Sequence, residues 1–162
     1  MQPALLRRFM NVWPPFAASG IHVTDLRRDW SYARVELRLR PWNRNYMGTQ
    51  FGGNLFKMCD PFWAIMAIER LGRGHIVWDA AGAIDFLAPG RGTVHAEFVF
   101  DDALRDEIID ITATGKKHLR WFENDIVAAD GTVVARIRKQ LYIRRKPPRN
   151  RGGRRRGERS DA

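Results

Sequence analysis

Cysteine occurs once in the 162 residues, as Cys59, so no disulfide can form within the chain. A reducing compartment such as the cytoplasm suits a sequence of this kind. Histidine occurs four times, as His22, His75, His95 and His118, with no ligand-like spacing; no metal site is expected. Neither a G-x-S-x-G elbow nor a phosphate-binding glycine loop is present, which argues against a serine hydrolase and an NTPase. Long apolar runs are missing too. The longest, around 62–68, falls far short of the ~20 residues that span a bilayer. Arg7 and Arg8 interrupt the opening segment where a secretory signal needs an apolar core, so neither a leader nor membrane insertion is expected. No internal repeat is visible.

What is present is an ordinary globular balance, 44% apolar and 28% charged, in a length that suits one domain. The net charge of +10 is unevenly spread. Residues 144–162 hold nine Arg or Lys against Glu158 and Asp161, a net +7, which leaves +3 for residues 1–143. The tail, RRKPPRNRGGRRRGERSDA, has too little apolar surface to offset its ordering entropy and is expected to stay disordered. It serves either as a solubilising extension or as an anchor for nucleic acid through counterion release.

Residues 1–143 are expected to form the single domain. A short helix is predicted over 3–11, stopped by Trp13-Pro14-Pro15, then a strand over 21–26. Residues 31–39 alternate, with Ala33, Val35, Leu37 and Leu39 on one face and Arg34, Glu36 and Arg38 on the other, so one face of this strand is wet. After the polar loop PWNRNYMGTQ, a helix is predicted over about 53–71. It is apolar nearly all round and therefore buried, with a kink at Asp60 because Pro61 lacks an N–H. Strands are predicted over 80–87, 93–100, 117–128 and 133–143, the last two joined by the turn Ala129-Asp130-Gly131-Thr132. Residues 101–110 read as a helical turn running into a strand. The fold class is α+β, with an antiparallel curved sheet wrapped around one long buried helix.

The junction N-R-N-Y-M-G-T-Q-F-G-G-N-L-F-K-M-C-D-P-F resembles that of hotdog-fold acyl-CoA thioesterases of the phenylacetyl-CoA type. Asn45, Gly48, Gly52, Gly53 and Asp60 fall at the places where that pattern carries Asn, Gly, Gly-Gly and Asp. The resemblance extends over about 10–143 and looks closest to a subgroup with the runs GTQFGG, DPF, IVWD and FLAPGRGTV. It implies that the N–H of Gly52 polarises a thioester carbonyl, that Asp60 is general base or nucleophile, and that Asn45 orients water or substrate. It implies a homodimer, with dimers pairing into a tetramer, and no cofactor beyond the CoA of the substrate. Two positions depart from the pattern: Phe51 replaces a histidine, and Pro61 replaces a small or hydroxyl residue.

The physics of these residues agrees with that implication. A helix N-terminus presents unpaired N–H groups and a positive dipole end, and glycine lets a ligand approach it closely. An apolar helix should desolvate Asp60, which suits a general base. Gly52 and Asp60 are about 12 Å apart along a helix, whereas a carbonyl and its attacking water meet within about 3.5 Å. A composite site follows, with Gly52 from one subunit and Asp60 from its partner.

The substrate contacts expected are Gly53 beside the helix start, Phe51, Phe56, Phe62 and Trp63 for the acyl group, and Gly90 and Arg91 for the nucleotide of CoA. Plainer roles stay open. Asp60 can be a buried carboxylate satisfied by backbone N–H groups or by Lys57, Asn45 a loop cap, and Gly52, Gly53 and Gly90-Arg91-Gly92 turn residues. Asp79 can join the pocket, belong to a turn or form a salt bridge, and Asp85 can point outward or pair across the sheet. Two other functions compete with hydrolysis: acyl-thioester or fatty-acid binding without turnover, favoured by Phe51, and a nucleic-acid scaffold that uses the tail.

Overall fold

Strict alternation along the chain's last strand organises the fold. The computed structural model describes residues 1–147. In Val133–Arg145 (β6), Ala135, Ile137, Leu141 and Ile143 are buried on one face while Arg138 and Arg144 face water. Five more strands complete the sheet: Ile21–Leu26 (β1), Tyr32–Leu37 (β2), His75–Phe86 (β3), Val94–Val99 (β4) and His118–Ala128 (β5). They form one antiparallel sheet in the order β1-β2-β4-β5-β6-β3. β3 begins five residues before the predicted start and β6 ends two residues after the predicted end, pairing as far as His75 with Arg145. The disorder expected for the tail, and its role toward nucleic acid, concern residues that from 148 onward lie outside the described ones.

The two sheet edges are treated differently. Helix Pro3–Val12 (α1) lies over β1, where Asn11 Nδ2 donates to Val23 O at 3.1 Å and Asn11 Oδ1 accepts from Val23 N at 2.7 Å. A side-chain amide thus satisfies the edge backbone. A single turn, Pro14–Ala17 (α2), seats Phe16 in the core. The opposite edge, β3, has most of its twelve residues exposed, and no strand pairs with its outer side among the described residues.

The expected long helix is two helices, Gly52–Cys59 (α3) and Phe62–Leu71 (α4), broken at Asp60-Pro61. Pro61 has no N–H to continue the ladder. The Asp60 N–H reaches both Phe56 O (3.1 Å) and Lys57 O (3.3 Å), and bonding resumes with Ile65 N to Pro61 O at 3.0 Å. Both helices bury an apolar face against the sheet: Leu55, Met58, Phe62, Trp63, Met66 and Ala67 are in the core. Residues 101–110 also differ from the expectation. They belong to a full helix, Asp102–Thr112 (α5), whose first turn is capped by Asp101 Oδ1 accepting from Leu104 N at 2.8 Å. Its inward residues Leu104, Ile108 and Thr112 are spaced by four, which is a helical period and not that of a strand.

Candidate active site

The loop before α3 is held by one side chain. Asn45 Oδ1 accepts from the N–H groups of Met47 and Thr49, each at 3.0 Å, and its Nδ2 donates to Thr49 Oγ1 (2.9 Å) and Gln50 O (3.2 Å). All four hydrogen-bonding positions of the amide are occupied within 45–50. The geometry gives Asn45 the loop-capping role and leaves no lone pair or N–H for water. Gly48, at φ +78°, closes the same turn with its N–H on Asn45 O at 3.0 Å.

Gln50 then ties this loop to the β3–β4 turn. Its N–H meets Gly90 O at 2.9 Å, and its Nε2 donates to Gly92 O (2.8 Å) and Leu37 O (3.1 Å). A Cβ at position 90 would stand 2.8 Å from Gln50 Cγ, so the contact needs glycine there. Gln50 was not among the residues singled out from the sequence. Its burial is the outcome of the loop's closure, and no local motif marks it.

The chain enters α3 with no side-chain cap. Asn54 N and Leu55 N both bond Phe51 O, at 2.9 and 3.1 Å, and among the described residues nothing accepts from the N–H of Gly52 or Gly53. This bare helix start opens onto a cavity of about 420 Å³ between the 45–50 loop and the 86–90 turn. Asn45, Gly52 and Gly90 share its wall with Leu55, Phe86 and Leu87. Phe51, Gly53, Asp60 and Arg91 do not line it. Arg91 is exposed, and Phe51 is 52% exposed at the N-cap.

Asp60 lies elsewhere in the subunit, at the helix break. Its side chain is 48% exposed, so the expected burial is absent: the break sets it near the edge strand β3, which no further strand covers among the described residues. Its cation is Lys139 of β6, with Nζ 2.6 Å from Asp60 Oδ1. Lys57, the partner considered from the sequence, instead donates to Ser19 Oγ at 2.8 Å. Asp79 joins the same ammonium, Oδ1 to Nζ 3.2 Å. Asp85 pairs with Arg138 across the sheet at 3.3 Å.

Two of the expected acyl contacts belong to the core. Phe62 is buried and stacks on Phe98 with centroids 4.9 Å apart; Trp63 is buried and stacks on Phe122 at 4.8 Å. Trp63 Nε1 also donates to Asn124 Oδ1 at 3.0 Å. Phe56 is half-buried, with Lys139 Nζ 5.5 Å from its ring centre. Cys59 is buried, and desolvation pushes its thiol up to about 12, which removes it as a nucleophile. Among the described residues no three His, Cys, Asp or Glu side chains converge as metal ligands, and no helix is long and apolar enough to cross a membrane.

A six-stranded antiparallel sheet with the broken helix packed against it is the α+β architecture of the hotdog class. Solved structures share it. A Pseudomonas aeruginosa protein of unknown function, named a probable thioesterase, matches with TM-score 0.79 and 18% identity over 90% of this chain and 97% of its own. A Haemophilus influenzae thioesterase matches at 0.64 and 12% identity over 90% and 92%. A Chlorobaculum tepidum protein of unknown function matches at 0.67 and 15% identity over 90% and 98%. The chain belongs to the DUF4442 family, a domain of unknown function, whose model matches residues 2–143. No curated protein matches it.

Proposed function

We propose that the protein hydrolyses an acyl-CoA thioester at a composite site on a homodimer. The observation that carries this is the uncapped start of α3: Gly52, whose N–H meets no acceptor among the described residues, stands in the wall of a cavity of about 420 Å³. That volume is in the range of small-molecule sites. Donors fixed in this way suit an oxyanion, which forms only when the thioester carbonyl is attacked. The likeness to proteins named as thioesterases supports the same chemistry.

In this reading the N–H of Gly52 holds the carbonyl oxygen. Asp60 of the partner subunit takes a proton from water, and the water oxygen attacks the acyl carbon. Collapse of the tetrahedral intermediate breaks the C–S bond, and the CoA sulfur leaves and takes up a proton. No cofactor enters. Within one subunit Gly52 lines the cavity and Asp60 does not, which favours sharing the work across a two-fold axis. The open edge β3 gives such a dimer a surface to use, and pairing of two dimers follows the resemblance. Leu55, Phe86 and Leu87 offer the acyl group an apolar wall, in keeping with the phenylacetyl-CoA branch. The lone buried cysteine suits the cytoplasm.

A second reading is acyl-thioester binding without turnover. Phe51 favours it, because a ring without a donor stands at the N-cap. Release of free thiol from a panel of acyl-CoAs, with Asp60→Asn beside the wild type, separates the two. Turnover abolished by the substitution is the expected result. Binding without thiol release, from folded dimer, sinks the hydrolase reading.

A further inference from the structure

Lys139 occupies a place that an amphipathic strand gives to an apolar side chain. The inward row of β6 runs Ala135, Ile137, Lys139, Leu141, Ile143, and its other four members are buried and apolar. The Lys139 side chain itself is only 4% exposed. An ammonium so placed costs several kcal/mol unless it is paired. It is paired twice, with Asp60 Oδ1 at 2.6 Å and Asp79 Oδ1 at 3.2 Å.

Two features of the edge strand make room for this arrangement. The register shift between Asp79 and Ala81 puts Asp79 opposite Leu141, on the inner face. Gly82 stands opposite Lys139, and a Cβ there would meet Phe56 Cζ at 2.7 Å and Lys139 Cδ at 3.4 Å. Asp60 uses one oxygen on Lys139, and its Oδ2 accepts no hydrogen bond among the described residues.

We propose that Lys139 and Asp79 are positioning residues for Asp60, which fix its carboxylate and the charge beside it. This rests on the hydrolase reading above. Lys139 fixes one oxygen of Asp60, so that the other faces the water. Asp79 holds the same ammonium from β3, so that its charge is shared between the two carboxylates. Of the other charged or titratable groups on the elements around Asp60, Lys57 is held by Ser19 and the Cys59 thiol titrates only at about 12.

The test compares kcat/KM against pH for wild type, Asp79→Asn and Lys139→Met. Methionine keeps the volume of the lysine stem, and the two carboxylates left without the ammonium are 48% and 41% exposed, within reach of water. The Asp79→Asn change lies at a 41% exposed side chain and carries the test even if the lysine variant does not fold. In Asp79→Asn the ammonium is left to Asp60 alone, so the acid limb moves to lower pH and kcat on the plateau falls. In Lys139→Met, where the ammonium is gone, the acid limb moves the other way. A purely structural role would move the limb in neither variant.

A second readout needs no turnover. Carbodiimide modification of Asp60 at a fixed, mildly acidic pH is mapped by peptide mass spectrometry, counting amine adducts and crosslinks to Lys139 together. It should rise roughly tenfold in Lys139→Met and fall in Asp79→Asn. These changes without thiol release from wild type would keep the cluster and sink the hydrolase reading. Modification unchanged in a folded Asp79→Asn variant would overturn the cluster, whatever the enzyme hydrolyses.

Discussion

Replacing Gly52 by alanine separates catalysis from folding at a single atom. Gly52 has no positive φ, so alanine fits its backbone. A Cβ there would stand 2.8 Å from Phe86 Cζ and 3.0 Å from Cε1. These atoms are the far end of a side chain that is 61% exposed, and the ring can swing outward at little cost. Alanine also lowers the entropy of the unfolded chain, worth about 0.4–1 kcal/mol in favour of the fold. The two effects oppose each other, and the net change should stay within about 1 kcal/mol, or about 2–4 °C in Tm for a chain of this size. Activity should respond far more. The new methyl lies on the cavity wall beside the free N–H, where it blocks the approach of a carbonyl oxygen. Loss of one oxyanion donor costs about 10²–10³ in kcat. The assay is thiol release from the best acyl-CoA, run beside a thermal melt and a measurement of dimer mass. Unchanged kcat with an unchanged melt would refute the placement of the thioester carbonyl at this helix start.

Four further outcomes are expected. Gly52→Ala and Asp60→Asn subunits, each inactive alone, should regain about a quarter of wild-type activity when coexpressed in equal amounts, because half of the dimers then hold one intact composite site; no recovery in verified heterodimers would place both residues in one subunit. Asn45→Ala should cost about 1–3 kcal/mol in urea denaturation, since it leaves several groups of the 45–50 loop unpaired, and a stable variant that has lost only kcat would return Asn45 to the chemistry. Phe62→Leu should cost about 1–3 kcal/mol through lost core volume and leave acyl preference unchanged; altered chain-length preference would put Phe62 back in the acyl pocket. His22 is held below its ordinary 6.5 by burial first and the Arg38 guanidinium second, partly offset by Glu36. The unfolded chain then takes up the proton first, so this contribution is complete above about 6.5 and is lost as the pH falls below it. His22→Gln should flatten the acid side of urea midpoints measured between about pH 7.5 and about pH 5.5.

Much of this architecture is legible in the residues themselves. Alternation in 31–39 and 133–143 gives strand and face together, because successive side chains must point to opposite sides of a sheet. The apolar run from Asn54 to Arg70 demands a buried helix, and Pro61 locates its break within one residue, because a missing N–H acts locally. The paired glycines at 52 and 53 mark the free helix start for the same local reason. α5 was legible as well: an Asp101 cap and inward residues spaced by four stand in the sequence, although Ile108-Ile109-Asp110-Ile111 also reads as a strand.

The tertiary structure alone decided what those pieces meet. Strand parity puts Lys139 on the inner row of β6, but its partners come from β3 and from the helix break, 60 and 79 residues away. They reach it only through the β3–β6 register and the shift after Asp79. Phe62 and Trp63 have the composition of an acyl pocket, and the stacking of Phe98 and Phe122 from β4 and β5 makes them core. Asn45 lies where a catalytic amide would lie, and closure of the 45–50 loop takes up every hydrogen bond it can make. Local backbone chemistry is written in neighbouring residues. Burial and charge pairing depend on strands brought together from distant parts of the chain, and so they belong to the fold.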